Sequence, residues 1–195
     1  VGEWFSRMAA VGAVPVAVRS SAVGEDGDDQ SFAGQYDTVL GVNSVDDFAA
    51  AVQRCAASVR SRRAAAYSGQ PTATMHLVVQ QMVDARAAGV VFTADPATGR
   101  RDLTVIDAVA GLGEALVDGT ASSDHIVLDS DGDPAVCDVV EVPVLSPDEV
   151  ADIRSGALRA AQHWGRPMDL EWAIDRSGTL WWLQARPITT LPGDL

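Results

Sequence analysis

An α+β fold with a largely antiparallel sheet is what this sequence predicts, and three observations predict it. Short apolar runs rich in β-branched residues recur along the 195 residues, joined by several hairpin-like connections. Two stretches, beginning near Ser44 and near Ser146, switch to helical spacing of their apolar residues. With 47% hydrophobic and 21% charged residues, the composition is that of a globular chain, long enough to bury a core without disulfides or a structural metal.

Taken in order, residues 4–12 read as the end of a helix, and residues 15–19 as a short strand entering a small polar loop, Ser20-Ser21-Ala22. An acidic turn follows over residues 24–30, then a strand over 38–42. Ser44 with Asp47 three residues later has the form of an N-cap with an acidic first turn. Phe48, Ala51, Val52, Cys55 and Val59 then repeat at helical intervals, and the helix stops before Gly69-Gln70-Pro71. Strands are expected at 76–83 and 88–93, with a turn at Asp95-Pro96-Ala97-Thr98-Gly99 and a further strand at 103–109. Residues 125–128 pair with 135–142 across the Asp131-Gly132-Asp133-Pro134 turn. The second helix starts at Ser146-Pro147-Asp148-Glu149 and runs to Trp164, and two strands, 168–174 and 179–186, close the chain.

Charge excludes several functions. Fourteen basic residues stand against 27 acidic ones, a net charge of −13, which argues against nucleic-acid binding by phosphate neutralisation. Every cation is Arg and no Lys occurs, so a phosphate grip on this chain must use Arg, backbone amides or a metal. Cys55 and Cys137 lack CxxC spacing, which fits free thiols in a reducing compartment, the cytosol by default. No apolar run approaches 18 residues and the first residues lack a basic signal-peptide region. The missing initiator Met suggests a processed or excised piece. His76, His125 and His163 are isolated from each other and from cysteine, so they read as structural or surface residues rather than zinc ligands. There is no Gly-x-Ser-x-Gly elbow.

The C-terminal hairpin is the most informative segment. With Arg176-Ser177 as its loop, Asp175 opposes Gly178, Asp169 faces Gln184 and Glu171 faces Trp182. Alternation then places Asp169, Glu171, Gln184 and Arg186 on one side, and Leu170, Trp172, Ile174, Trp181, Leu183 and Ala185 on the other. Two acids, an amide and a guanidinium suit a magnesium-phosphate site, because carboxylate oxygens bind the hard cation and Arg neutralises phosphate. Spacing alone is equally satisfied by the solvated outer face of a sheet. Arg19 with the hydroxyls after it has a second phosphate-binding form, for which a surface Arg beside a turn is the alternative. Ser31-Phe32-Ala33-Gly34-Gln35 lets a backbone approach polyphosphate but lacks a P-loop pattern, and Gly111-Leu112-Gly113 lacks the third glycine of a dinucleotide fingerprint.

In this order the pieces resemble the ATP-grasp nucleotide-binding domain of the phosphoenolpyruvate synthase and pyruvate phosphate dikinase family, which includes rifampicin phosphotransferase. The resemblance is carried by residues 16–22, 31–35, 81–83, 89–96, 111–117, 169–173 and 183–189. It implies a partial first lobe over 1–82 and a second lobe over 83–195, and a cytoplasmic ATP-dependent phosphotransferase. It further implies that Arg19 contacts nucleotide phosphates, that Gly34 and Gln35 approach them, and that Gln81, Met82 and Val83 border the adenine. Glu171 and Gln184 would hold Mg²⁺, Arg186 would stabilise the transferring phosphate, and Asp169 would support the group. In such enzymes ATP is split between its β and γ phosphates, and the β-phosphoryl passes to a histidine on a separate swivelling domain.

Two departures qualify what is carried over. About a hundred residues that precede the Arg-Ser-Ser segment in the family have no counterpart, including a nucleotide-gripping lysine. No Gly-Gly-x-x-Ser-His segment or acceptor barrel occurs either. The expected partners are therefore the first-lobe segment, a phosphohistidine domain and an acceptor domain, on the same or another chain, with neither nucleic acid nor membrane. The alternatives are the nucleotide domain of an antibiotic phosphotransferase and a module that keeps the fold without turnover.

Overall fold

A computed structural model describes residues 2–10, 12, 14–22, 26–27, 30–31, 38–66, 75–113, 123–139, 142–189 and 191–192. It is α+β, and the strands of its two larger sheets pair antiparallel throughout. The chain divides into two compact units, Val1–Gly27 with Phe32–Met82, and Asp28–Ser31 with Val83–Leu195.

The first unit contains α1 (Gly2–Ala10), β1 (Val16–Ala22), β2 (Asp26–Gly27), β4 (Thr38–Val42), α2 (Val45–Ala66) and β5 (Met75–Gln81); the two-residue strand β3 (Gln30–Ser31) belongs to the second unit. β1 is the central strand, between β4 and β5. Its residues Val16 and Val18 are fully buried and cluster with Val42, Phe5 and the α2 residues Phe48, Ala51 and Cys55. Phe5 and Phe48 stack with ring centroids 5.2 Å apart. Ser44 starts α2 as expected, its hydroxyl accepting from the Asp47 amide at 3.1 Å. The polar loop expected at Ser20-Ser21-Ala22 is instead the end of β1, paired residue by residue with Leu77, His76 and Met75. Pairing with β5 satisfies the backbone there, which outweighs the local turn preference of serine.

The second unit adds β6 (Ala85–Phe92), β7 (Thr104–Ala110), β8 (Asp124–Leu128), β9 (Pro134–Asp138), α3 (Pro147–Trp164), β10 (Met168–Asp175) and β11 (Leu180–Pro187). Its six strands lie in the order β11-β10-β6-β7-β8-β9. α3 covers one face. Ile153 and Ala157 pack there against Val91, Ile106, Leu170, Trp172 and Ile174, among the most deeply buried side chains of the unit. A capping box fixes the start of α3, with Ser146 accepting from the Glu149 amide while the Glu149 carboxylate accepts from the Ser146 amide at 2.9 Å. Gly89 has no room for a side chain, since a Cβ would stand 1.9 Å from the Asp107 carbonyl oxygen and 2.7 Å from the Trp172 ring.

The hairpin register differs from the one the sequence suggests. Asp169 faces Arg186 rather than Gln184, and Glu171 faces Gln184 rather than Trp182. The loop has three residues, Arg176 to Gly178, and ends at Gly178 with φ of +86°. Such a turn suits glycine at its last position. Asp175 holds it, accepting from the amides of Ser177 and Thr179 and from the Trp181 indole. A bulge then falls between Glu171 and Trp172, leaving Leu183 as the extra residue on β11. Trp182 therefore pairs with Trp172 on the helix side, where it packs over Gly156 of α3.

Candidate functional site

Turn and bulge together shift the register by an even number at the start of β10, so the faces of its residues are preserved there. Asp169 and Glu171 alternate along β10, and their partners Arg186 and Gln184 stand directly across on β11. All four side chains lie on the face opposite α3. The rows continue across the sheet. Glu171 neighbours Val90, then Asp107 and His125; Asp169 neighbours Phe92, then Val105 and Val127.

Arg186 donates from Nε to Asp169 Oδ2 at 2.8 Å, with both side chains mostly buried. Burial pushes the Asp169 carboxyl up and the Arg186 guanidinium opposes it, for a net rise. Asp169 Oδ1 is buried and has no hydrogen-bond partner among the described residues. An orphaned carboxylate oxygen of this kind is a ready acceptor for a ligand or a cation. Glu171 and Gln184 are half-buried beside it. Among the described residues no three His, Cys, Asp or Glu side chains form a self-contained metal cage. Magnesium rarely uses one, because it binds through one or two carboxylates and takes its remaining ligands from phosphate oxygens and water. The oxygen donors of Glu171, Gln184 and Asp169 fit that ion.

The other residues singled out from the sequence divide differently. Arg19 lies on β1 opposite Thr38 and Val78, on the sheet face turned away from the buried Val16 and Val18. By register Gln80 shares this face, whereas Gln81 pairs with Val16 and falls on the α2 side. Met82 donates its amide to the Pro15 carbonyl at 2.9 Å, and its sulfur accepts from the Gly41 amide. The Val83 carbonyl accepts from the Ala85 amide, and its side chain joins a small cluster with Ala88, Ala173 and Leu183. Gly34 and Gln35 lie outside the described residues. Asp107 and His125 were not expected at the site. An acid in the middle of the apolar strand 104–110 was the available signal.

The sequence profile described as "Pyruvate phosphate dikinase, AMP/ATP-binding domain" matches residues 2–142 and 136–194. The chain belongs to this family. Curated proteins similar to this AMP/ATP-binding domain include a probable phosphoenolpyruvate synthase of Methanocaldococcus jannaschii, 39% identical across 91% of the chain. The prodigiosin synthesizing transferase PigC of Serratia marcescens is 40% identical across 90% of the chain, and the rifampicin phosphotransferase of a Streptomyces species 38% across 90%. The domain spans 17%, 23% and 23% of those three proteins, which thus carry much sequence beyond it. No described helix is long and apolar enough to cross a membrane.

Proposed function

We propose that this domain is the ATP- and Mg²⁺-binding part of a phosphoenolpyruvate synthase-like phosphotransferase of ATP-grasp fold, in which a histidine on another domain receives the β-phosphoryl group. The observation that carries the reading is the pairing of Glu171 with Gln184 beside Asp169 with Arg186, on one face, in a member of an AMP/ATP-binding family. In this reading residues 1–82 are part of the first lobe and 83–195 the second. Arg19, Gly34 and Gln35 contact the phosphates, and Gln81, Met82 and Val83 border the base. A divalent ion held by Glu171 and Gln184 supplies positive charge to the phosphate oxygens.

The chain's own contribution is positioning and electrostatics, which is what phosphoryl transfer chiefly demands. Asp169 takes the Arg186 Nε and thereby fixes the plane of the guanidinium, so its two terminal nitrogens have a set direction from which to meet an equatorial phosphate oxygen. Glu171 adds the negative charge that makes the site selective for the magnesium complex of the nucleotide over free ATP. The acceptor domain and the residues completing the first lobe are its partners. The near-equal identity to phosphoenolpyruvate synthase and rifampicin phosphotransferase supports acceptor choice by those other parts.

Titration calorimetry of the complete enzyme with ATP, with and without Mg²⁺, tests this. The expected result is heat that depends on Mg²⁺ and is reduced in both Glu171→Gln and Arg186→Ala. Binding that ignores Mg²⁺ and both substitutions would remove the assignment.

A further inference from the structure

The open face of the six-stranded sheet carries a second feature. His125 Nδ1 stands 2.6 Å from Asp107 Oδ1, across adjacent strands. Both line a cleft of about 550 Å³ whose floor is Phe92, Val105 and Val127 and whose wall is the turn from Asp95 to Arg100.

Three properties define what fits there. The floor is apolar, suited to an aliphatic stem. Two carboxylates line it, Asp95 and Asp107; the lining Arg100 is met by Asp102 through both Nε and Nη2, and Asp107 shares its hydrogen bond with His125, so Asp95 is the acid of the cleft with no cation bonded to it among the described residues. The Thr98 hydroxyl, outweighing a small opposing effect of burial, holds the Asp95 carboxyl below the usual range and so ionised at neutral pH. The cleft also adjoins the hairpin site, since Phe92 on its floor is the direct cross-strand neighbour of Asp169. The opposite face is closed by α3, so a phosphoryl acceptor reaches the four hairpin residues from this side.

We propose that the cleft seats a cationic side chain, Arg or Lys, of the polypeptide segment that brings the phosphoryl acceptor to the sheet. The proposal rests on the phosphotransfer reading above. The stem of the side chain lies against Phe92 and the valines, where the ring also favours a cation, and its head meets Asp107 and Asp95. His125 is a positioning residue, fixing the Asp107 carboxylate by the hydrogen bond they share.

The test is an NMR titration of the 195-residue chain with capped Leu-Arg-Leu, Leu-Gln-Leu and Leu-Glu-Leu tripeptides, read on the Val105 and Val127 methyls. The Arg peptide is expected to give saturable shifts and the Glu peptide none. Asp107→Asn should weaken the Arg peptide about threefold, the scale of one exposed charge pair. Val136 is 41% exposed at the cleft rim, so Val136→Arg, which leaves the core untouched, should abolish the shifts by filling the cleft with its own guanidinium. Equal responses to all three peptides, or undiminished binding in both variants, overturn the proposal. So does competition between ATP·Mg²⁺ and the Arg peptide, which would give the cleft to the nucleotide. If Glu171→Gln and Arg186→Ala leave turnover of the complete enzyme at the parent's level, the phosphotransfer reading fails and the acceptor assignment with it. The peptides then still report whether the cleft prefers a cation.

Discussion

Asp169 and Arg186 face each other across the β10–β11 hairpin and share a 2.8 Å hydrogen bond, while the second carboxylate oxygen of Asp169 is buried without a partner. The pair is held by backbone register rather than by flexible loops, so the Nε edge of the guanidinium is fixed against the carboxylate. Asp169→Ala takes the Nε acceptor from a mostly buried guanidinium and should cost about 1–3 kcal/mol of stability. Asp169→Asn keeps an oxygen that can accept and should cost less. Urea unfolding of the two variants beside the parent chain checks the order.

In the complete enzyme, Glu171→Gln and Arg186→Ala should each lower turnover by roughly 10²-fold or more, the size of one lost electrostatic stabiliser. Arg19→Ala should act mainly on the KM for ATP, since a phosphate contact present in both ground and transition states contributes uniform binding. Steady-state kinetics with ATP varied separates the two patterns.

Gly89→Ala should unfold the second unit or come close to it. The added methyl meets the Asp107 backbone oxygen at 1.9 Å, and strand pairing leaves that carbonyl no path of retreat. A loss of about 3 kcal/mol or more is expected. Thermal melting followed by circular dichroism measures it, with Gly178→Ala as a test of glycine loss where a positive φ, and no contact, opposes the methyl.

Glu149 gives a pH dependence of definite sign. Burial alone would raise its carboxyl, but the Ser146 amide and hydroxyl and the Arg86 guanidinium outweigh it and hold it below the usual range. A lowered carboxyl contributes stability that is present above its unfolded pKa and is lost as pH falls through the folded value. Glu149→Gln should therefore be less stable than the parent at pH 7, and the gap should narrow on acidification below about pH 4. Unfolding midpoints taken from pH 7 to pH 3 would show the convergence.

Much of the fold was legible because local signals and tertiary needs agreed. Ser44 and Ser146 cap helices, and the alternation in 168–174 sends Met168, Leu170, Trp172 and Ile174 into the core beneath α3. The faces of Asp169, Glu171, Gln184 and Arg186 were legible too, as they depend only on parity. Their partners were not. A three-residue turn in place of two, and one extra residue at Leu183, are set by Gly178 and by the packing of Trp182 on Gly156, and neither is visible in a hydrophobic pattern. Ser20 and Ser21 misled for a related reason, since their turn preference yields to a neighbouring strand that only the tertiary fold supplies. Asp107 and His125 stand 18 positions apart in the chain, and only the pairing of β7 with β8 brings them together.

The extra residue at Leu183 works as a half-period phase shift within a single strand. On the turn side of it, Trp182 is devoted to the helical layer; on the other, Gln184 and Arg186 are devoted to the open face. A uniform strand of this length would have to give both ends to the same layer, trading the tryptophan anchor against the amide and guanidinium. Because the shift separates them, the turn from Arg176 to Gly178 can be lengthened or exchanged by evolution without re-aiming the far end, whereas deleting one residue at Leu183 would turn every side chain on one side of it over.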